Sequence, residues 1–452
     1  MKNLLLLSSI SGLILAIIFA ACKQEEEINQ SPQSSWEIIQ SQILEPNCVT
    51  CHESGTSFAR QSDLILTKEL AFDQLINRQP NNQAARNDGL ELVGTKGLES
   101  LYNSFLWEKI NTHDFEHYYE DHPEYGELMP LGGPSLTDGE LEYIEAWIKA
   151  GAPENGFPVA NSVLENTNRF EFPEEEYIGL PQPEQGMQLN IGPFDVDPNF
   201  EREFFYYQPL NNDQEILINR VEITMRKGSH HFILYDFPEL DFPESETFRD
   251  FRSSTEALNF NTIASIVNQR FVFGTQWRNI DYQFPEGVAL KVPANWGFDL
   301  NSHYVNRSNE SMQGEVAINL HTVDKSEVVF EAQNIFLNNT QFSLPPQQVS
   351  TVEKTWTFNE RRYIFQLFSH AHEHMTEFKI FITGGPRDGE LVYFAKDWEH
   401  PPLLELDPPI ILEAGEGLKA ETTYNNNTDR TLQFGLFSVD EMMIILGAYY
   451  TD

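Results

Sequence analysis

Basic residues and cysteines are both scarce in this sequence of 452 residues. It has 29 Lys and Arg residues against 69 Asp and Glu residues, a formal net charge of −40. That balance argues against nucleic acid or anionic lipid as a partner and favours solubility and neutral or basic partners. The sequence also shows no internal repeat and no alternation of strands with helices, so we do not expect a parallel sheet.

Two of the three cysteines form one motif, Cys48-Val49-Thr50-Cys51-His52. C-x-x-C-H is typical of the attachment site of a c-type haem. Its two thiols can form thioethers with one porphyrin, and His52 can then ligate the iron from the proximal side. The alternatives are a redox dithiol and half of a zinc site. The sequence has no second cysteine pair for zinc, and nothing before Cys48 resembles a thioredoxin-like strand.

The N-terminus reads as an export signal. Lys2 precedes a mostly apolar stretch, residues 4–19, which is too short and badly flanked for a stable membrane span. Small residues then precede Cys22, which resembles a bacterial lipoprotein signal. The resemblance implies that Cys22 is lipidated and anchors an exported protein to the outer membrane, on its periplasmic or cell-surface side. The alternative is plain secretion with a free Cys22. With all three cysteines so used, core burial and metals must stabilise the fold without disulfides.

Two capping boxes predict helices on either side of the haem motif. One opens at Ser34 and should end before Pro46, and the other opens at Thr137. Helix, C-x-x-C-H, Met-Pro loop and final helix together resemble the class I cytochrome c fold. The resemblance places Met129 as the sixth iron ligand, and its thioether would raise the iron potential. The rival ligands in this acidic region are His113, His117 and His122.

From about Gln188 onward the sequence pattern is typical of β-strands, with short aromatic and β-branched runs bounded by Pro, Gly and Asn. Histidines cluster at three places in this half, and imidazole is the commonest ligand for copper and zinc. His370 and His372, two apart, would share one face of a strand. His230 and His231 are adjacent, so sharing one metal requires a bulge or a strong twist. The third place is His303.

These histidines resemble those of the copper type II, ascorbate-dependent monooxygenases, the family of peptidylglycine α-hydroxylating and dopamine β-monooxygenases. The likeness covers about residues 185–452. It implies two jelly-roll-like domains that each hold one copper. It assigns His230, His231 and His303 to the first copper. It assigns His370, His372 and Met442 to the second copper, which would be the catalytic one. Met443 is the rival to Met442.

The resulting fold class is a small all-α cytochrome c domain followed by two all-β jelly-roll-like sandwich domains. Six segments are predicted: signal peptide, lipidated cysteine with tether, cytochrome c domain, linker, first copper-binding β domain and second copper-binding β domain. Their bounds are 1–21, 22–34, 35–153, 154–185, 186–325 and 326–452.

Three positions depart from the peptide-hydroxylating member of the family. Phe368, Ile444 and Leu446 stand where the resemblance implies an Arg, an Asn and a Tyr that bind the substrate carboxylate. Apolar groups have therefore replaced a carboxylate clamp, which predicts a small apolar or aromatic substrate and not a peptide C-terminus.

Together these patterns predict a haem- and copper-dependent monooxygenase that hydroxylates a C–H bond with O2. Electrons from an external donor would pass through the fused haem, which would replace or supplement ascorbate. The alternative is a membrane-anchored electron-transfer or copper-binding lipoprotein without hydroxylase activity.

Overall fold

The computed structural model describes residues 33–171, 177–238, 242–253, 257–266, 269–435 and 440–452. The predicted signal peptide and Cys22 lie outside these ranges. Within them, no helix has both the length and the apolar composition needed to cross a bilayer.

Short helices make up the N-terminal part, residues 33–165, which we call the helical region. Both predicted capping boxes are present, Ser34 with Glu37 and Thr137 with Glu140. The α-helices are α1 Ser35–Ile38, α2 Glu45–Asn47, α3 Ser57–Ser62, α4 Ala71–Leu75, α5 Gln83–Asn87, α6 Leu98–Leu101, α7 Phe105–Ile110, α8 Phe115–Asp121, α9 Asp138–Lys149 and, further along, α10 Phe260–Ile266. A π-helical stretch, Ile39–Leu44, joins α1 to α2, so the first helical segment continues past Pro46. Short 3₁₀ helices are Thr112–Asp114, Pro123–Tyr125, Asn161–Glu165, Lys325–Glu327 and Gly385–Arg387.

Strands dominate the rest of the described chain. The first β half contains β1 Gly186–Val196, β2 Phe200–Pro209, β3 Ile216–Met225, β4 Ser229–Asp236, β5 Phe248–Asp250, β6 Arg270–Thr275, β7 Asn279–Gln283, β8 Val288–Val292, β9 Gly297–Asn306 and β10 Met312–Thr322. The second β half contains β11 Phe330–Glu331, β12 Gln333–Asn338, β13 Ser343–Leu344, β14 Gln348–Thr357, β15 Arg362–His370, β16 Met375–Thr383, β17 Leu391–Ala395, β18 Leu404–Leu412, β19 Gly417–Asn426, β20 Leu432–Gln433 and β21 Ile444–Tyr450.

The described strands form five sheets. Two belong mainly to the first half, β1-β10-β3-β8-β11 with β7 paired to β3, and β5-β2-β9-β4-β6. Three belong to the second half, β12-β21-β15-β18, β14-β19-β16-β17 and the small pair β13-β20. The two halves interlock, because Phe271 lies in the core of the second half while Phe365 and Ala448 lie in the core of the first.

The predicted fold class, an all-α cytochrome c domain followed by two all-β jelly-roll-like sandwiches, is wrong. The longest helix described in the helical region has 12 residues. Parallel β-bridges between Ile76 and Val93 and between Glu91 and Ser104 hold the intervening loops. The described part of the chain is mostly β, and its five sheets share strands and core residues between the halves. Strand periodicity is visible in the sequence, but the pairing partners are distant in the chain and leave no local signal.

Candidate metal centres

His230, His231 and His303, called the triad below, form a buried group that could hold a metal ion. Their ligand atoms lie within 4.8 Å of one another. His231 lies opposite His303 on the paired strands β4 and β9, and the register shifts between Ser229 and His231. This is the irregularity that two adjacent histidines need to reach one metal, because it turns both side chains toward the same side of the sheet.

Hydrogen bonds define which nitrogens of the triad remain available. His303 Nε2 donates to Glu201 Oε1 at 2.7 Å, and His303 Nδ1 is buried without a partner. Asn301 donates through Nδ2 to Glu203, so its Oδ1 accepts from His231 Nε2 at 3.0 Å. The nitrogens not held by these acceptors are Nδ1 of His303 and Nδ1 of His231, and the latter lies within hydrogen-bonding distance of His230 Nδ1. Metal-ligating histidines commonly have this arrangement, in which a neighbouring acceptor holds the other nitrogen.

The spacing of the two adjacent histidines fits a shared ion. His230 Nδ1 and His231 Nδ1 are 3.2 Å apart. Two nitrogens about 2.0 Å from one ion at a tetrahedral angle are ~3.3 Å apart. Burial, followed by the neighbouring His303, lowers the pKa of His230 and of His231 well below the ordinary histidine value. The imidazoles are thus neutral near pH 7, which is the form that binds metals.

His370, His372 and Met442 form a second group, called the pair-and-methionine group below. His370 ends β15, whereas His372 lies in the turn before β16, so the two do not share a strand face as predicted. Their rings are nonetheless 5.2 Å apart and nearly perpendicular. Burial lowers the pKa of His370 to about 3 and that of His372 to about 4.

In this group the nitrogens available to a metal are Nε2, whereas in the triad they are Nδ1. His370 Nδ1 donates to Gln276 Oε1 at 3.0 Å, and His372 Nδ1 donates to the backbone oxygen of Asp440 at 3.1 Å. Gln276 can only accept there, because its Nε2 donates to the carbonyls of Trp398 and Glu399. Each histidine therefore presents Nε2 as its free lone pair.

A buried carboxyl positions the turn that carries this group. Glu441 is fully buried and accepts backbone hydrogen bonds from His372 at 3.1 Å, His374 at 2.9 Å and Met442 at 3.3 Å. Burial raises the pKa of Glu441 to about 8. One carboxyl thus fixes the backbone of two predicted ligands that are 70 positions apart in the sequence.

The two candidate methionines, Met442 and Met443, lie in different surroundings. Met442 lines a cavity together with His370 and His372. Met443 is fully buried in the core, where Asn339 Nδ2 donates to its sulfur at 3.3 Å.

One cavity of about 270 Å³ is lined by all six predicted copper ligands. The rings of His231 and His370 are 6.0 Å apart across it. Phe368 and Leu446 are cross-strand partners on β15 and β21, as are His370 and Ile444, and all of these residues line the cavity. The three positions that depart from a carboxylate clamp therefore form an apolar wall beside the pair-and-methionine group.

The predicted haem motif lies in the helical region. Cys48 and Met129 pack against the same hydrophobic core. His52 Nδ1 donates to the carbonyl of Leu64 at 3.2 Å, so Nε2 carries the free lone pair. Burial raises the pKa of Cys48 and of Cys51 to about 12, and burial lowers that of His52.

The three histidines that are rival haem ligands each contact another side chain. His113 Nε2 lies 2.9 Å from Asp138 and His117 Nδ1 lies 2.8 Å from Asp121, with side chains 51% and 45% exposed. His122 stacks on Tyr125 with ring centroids 4.4 Å apart.

Sequence reasoning missed the residues that orient the predicted ligands. They are Glu201, Asn301, Gln276 and Glu441. Asn301 had a usable signal, since it lies two residues before His303 and so on the same strand face. Glu441 directly precedes Met442. Glu201 and Gln276 come from strand pairings and contacts that no local pattern reveals.

Comparisons with known proteins leave the chain without an assigned family. No family model matches, and no curated protein matches. Among solved structures, a recombinant peptide:N-glycanase F has a TM-score of 0.26 and 8% identity over 59% of this chain and 96% of its own. The STIV MCP has a TM-score of 0.23 and 9% identity over 59% of this chain and 92% of its own. Likenesses this weak indicate neither fold nor function.

Proposed function

We propose that this chain is a copper-dependent monooxygenase that hydroxylates a C–H bond of a small apolar or aromatic substrate with O2 and receives electrons through a covalently attached haem. The observation that carries the proposal is that all six predicted copper ligands line one cavity. The family resemblance assigned them from the sequence, and four separate stretches of chain bring them together.

The donor sets fit copper. Three imidazoles suit copper in both oxidation states, and two imidazoles with a thioether favour Cu(I). Neighbouring acceptors hold Nε2 of His231 and His303 and Nδ1 of His370 and His372, so the opposite nitrogen of each ring is the one available to a metal. Copper bound in the two groups would supply one electron from each ion toward the two that a hydroxylation consumes.

The cavity wall supports the substrate class. Phe368, Ile444 and Leu446 place apolar surface beside the pair-and-methionine group, and the tilted ring of Phe271 lies with its centroid 6.4 Å from that of Phe368. Such a wall binds an apolar or aromatic ring by excluding water and offers no partner for a carboxylate.

The haem part of the proposal rests on Cys48, Cys51 and His52. A ligating histidine normally donates its other nitrogen to a carbonyl or carboxylate, as His52 does to Leu64. A c-type haem there would relay single electrons from an external donor, with Met129 as the proposed sixth ligand. We further propose that Cys22, outside the described residues, carries a lipid anchor.

Metal analysis of the copper-reconstituted protein, with an optical spectrum, tests this proposal first. We expect one haem and two coppers per chain in the wild type, and one copper in His370→Ala. His117→Ala is the matched control, because its side chain is 45% exposed and lies outside the cavity. It should keep both coppers.

Oxygen uptake with a reductant and a panel of apolar and aromatic compounds tests the chemistry. Uptake and a hydroxylated product that both require His370 would support the monooxygenase. Stoichiometric copper without oxygen uptake would instead indicate an electron-transfer or copper-binding lipoprotein. A protein that binds no copper specifically would overturn the proposal altogether.

A further inference from the structure

One short segment, Lys396–Trp398, contacts both the haem motif's surroundings and the triad. It follows β17 in the second β half. Its residues are partly exposed, and they connect the helical region with the cavity.

Lys396 hydrogen-bonds to the helical region at two places, one close to the haem motif and one close to Met129. Its Nζ donates to the carbonyl of Pro46, two residues before Cys48, at 3.1 Å. Its backbone N–H donates to the carbonyl of Gly132, three residues after Met129, at 2.5 Å. Gly132 has φ +74°, and a Cβ there would collide with the carbonyl oxygen of Phe394, so glycine permits this close approach.

Residues near the motif also pack against the second β half. Phe58, six residues after His52, and Leu131 both pack against the core of that half. Arg60 forms an ion pair with Glu390, whose side chain is buried. Burial raises the pKa of Cys51, and the nearby positive charges of Lys396 and Lys379 oppose that rise.

Trp398 lies at the other end of the segment, against the metal ligands. Its ring centroid is 5.5 Å from that of His230. Its carbonyl accepts from Gln276 Nε2 at 2.9 Å, and Gln276 Oε1 accepts from His370 Nδ1 at 3.0 Å. Trp398 therefore contacts one ligand of the triad directly and one ligand of the pair-and-methionine group through a single amide.

We propose that Lys396–Trp398 is the route by which electrons pass from the haem motif to the triad, with the Trp398 ring as the contact to His230. The inference rests on the proposed function. Haem attached at Cys48 and Cys51 and copper held by the triad would supply the redox pair: one electron would pass from Fe(II) to Cu(II), so that the iron would be oxidised and the copper reduced. No bond is formed or broken, and no proton is transferred.

Flash photoreduction of the haem in anaerobic, Cu(II)-loaded protein measures this step. Reoxidation of the haem is then followed optically, and a rate independent of protein concentration identifies transfer within one molecule. For Trp398→Leu we expect a loss of about tenfold or more in that rate, which corresponds to about 1.4 kcal/mol in the barrier. Trp398→Phe, which retains an aromatic ring, should recover part of the rate.

Trp277→Leu is the matched control. This tryptophan is 41% exposed, its ring contacts His400, and its indole N–H donates to the carbonyl of Pro401. It is close to the segment but does not line the cavity. We expect Trp277→Leu to leave the rate unchanged.

Copper content and the Cu(II) paramagnetic resonance spectrum separate a relay from a structural support. The proposal requires both to be unchanged in Trp398→Leu. A slower rate accompanied by an altered spectrum would make Trp398 a support of the triad and overturn the relay. An unchanged rate with both metals bound would overturn the relay alone. A wild-type protein without haem or copper would overturn the proposed function and the relay with it.

Discussion

The triad is assembled within one sheet, whereas the pair-and-methionine group draws on both β halves. His230 and His231 lie on β4, His303 lies on β9, and Glu201, which orients His303, lies on the next strand, β2. His370 instead depends on Gln276, a residue of the first half, although His370 itself belongs to the second.

The two groups also differ in what orients their imidazoles. Side-chain acceptors hold Nε2 of His231 and His303 in the triad, which leaves Nδ1 of each as the nitrogen available to a metal. In the other group, one histidine is held by a side chain and the other by a backbone carbonyl, and Nε2 is left free. Strand-borne ligands are held more rigidly than ligands in turns. The comparison indicates that the triad is preformed by local pairing, while the second group depends on packing between the halves.

The largest expected difference between the two groups comes from removing the side chain of Glu441. Glu441→Ala leaves three backbone N–H groups without their acceptor, those of His372, His374 and Met442. Each unsatisfied buried donor costs about 1–3 kcal/mol, so we expect a loss of about 3 kcal/mol or more in the free energy of unfolding. We also expect the loss of one copper, that of the pair-and-methionine group. Denaturant unfolding and metal analysis measure the two effects.

Glu373→Ala is the control for that experiment. Glu373 lies in the same turn, but its side chain is 46% exposed. It should retain both coppers and nearly the full stability. Full copper binding by Glu441→Ala would show that the turn holds its shape without the carboxyl and would contradict our view of this group.

The second prediction weakens the triad alone. Glu201→Ala removes the acceptor of His303 Nε2, so the ring loses its fixed tautomer. Orienting partners of this kind are worth about 10–100-fold in metal affinity, and we expect that loss at the triad only. Glu203→Ala should cost less, because Glu203 hydrogen-bonds to Asn301, which holds His231, while its own carboxylate lies 3.9 Å from His231 Nε2. Chelator competition in a His370→Ala background isolates the triad for the measurement. Equal losses of copper affinity in Glu201→Ala and Glu203→Ala would contradict the prediction that Glu201 matters more.

The same contrast explains how much was predictable from the sequence. The six candidate ligands were predicted from a family resemblance, and the need for a bulge at His230-His231 followed from strand geometry. The choice between Met442 and Met443 was left open, because it depends on how the chain enters β21. Gln276 reaches His370 across the two halves, and no local periodicity records such a contact.

The fold class failed for the same physical reason. Capping boxes are local, and the helices that begin after Ser34 and Thr137 were predicted correctly. Bridges such as Ile76 with Val93, and the exchange of Phe271 and Phe365 between the cores, are set by long-range packing. Hydrophobic pattern specifies which residues are buried in a strand, but not against which sheet they pack.

The smallest expected effect tests the link between the halves. Gln276→Leu removes the acceptor of His370 Nδ1 without changing any residue of the second half. We expect about a tenfold loss of copper affinity at the pair-and-methionine group, at the lower end of what such partners contribute. Affinity at the triad in the same protein serves as the internal control and should not change, since Gln276 bonds to none of its histidines. Gln276→Glu keeps a carbonyl-type acceptor for His370 and should restore part of the affinity. A larger loss at the triad than at the pair-and-methionine group would contradict this prediction. It would mean that Gln276 acts mainly on the triad, through its hydrogen bond to Trp398.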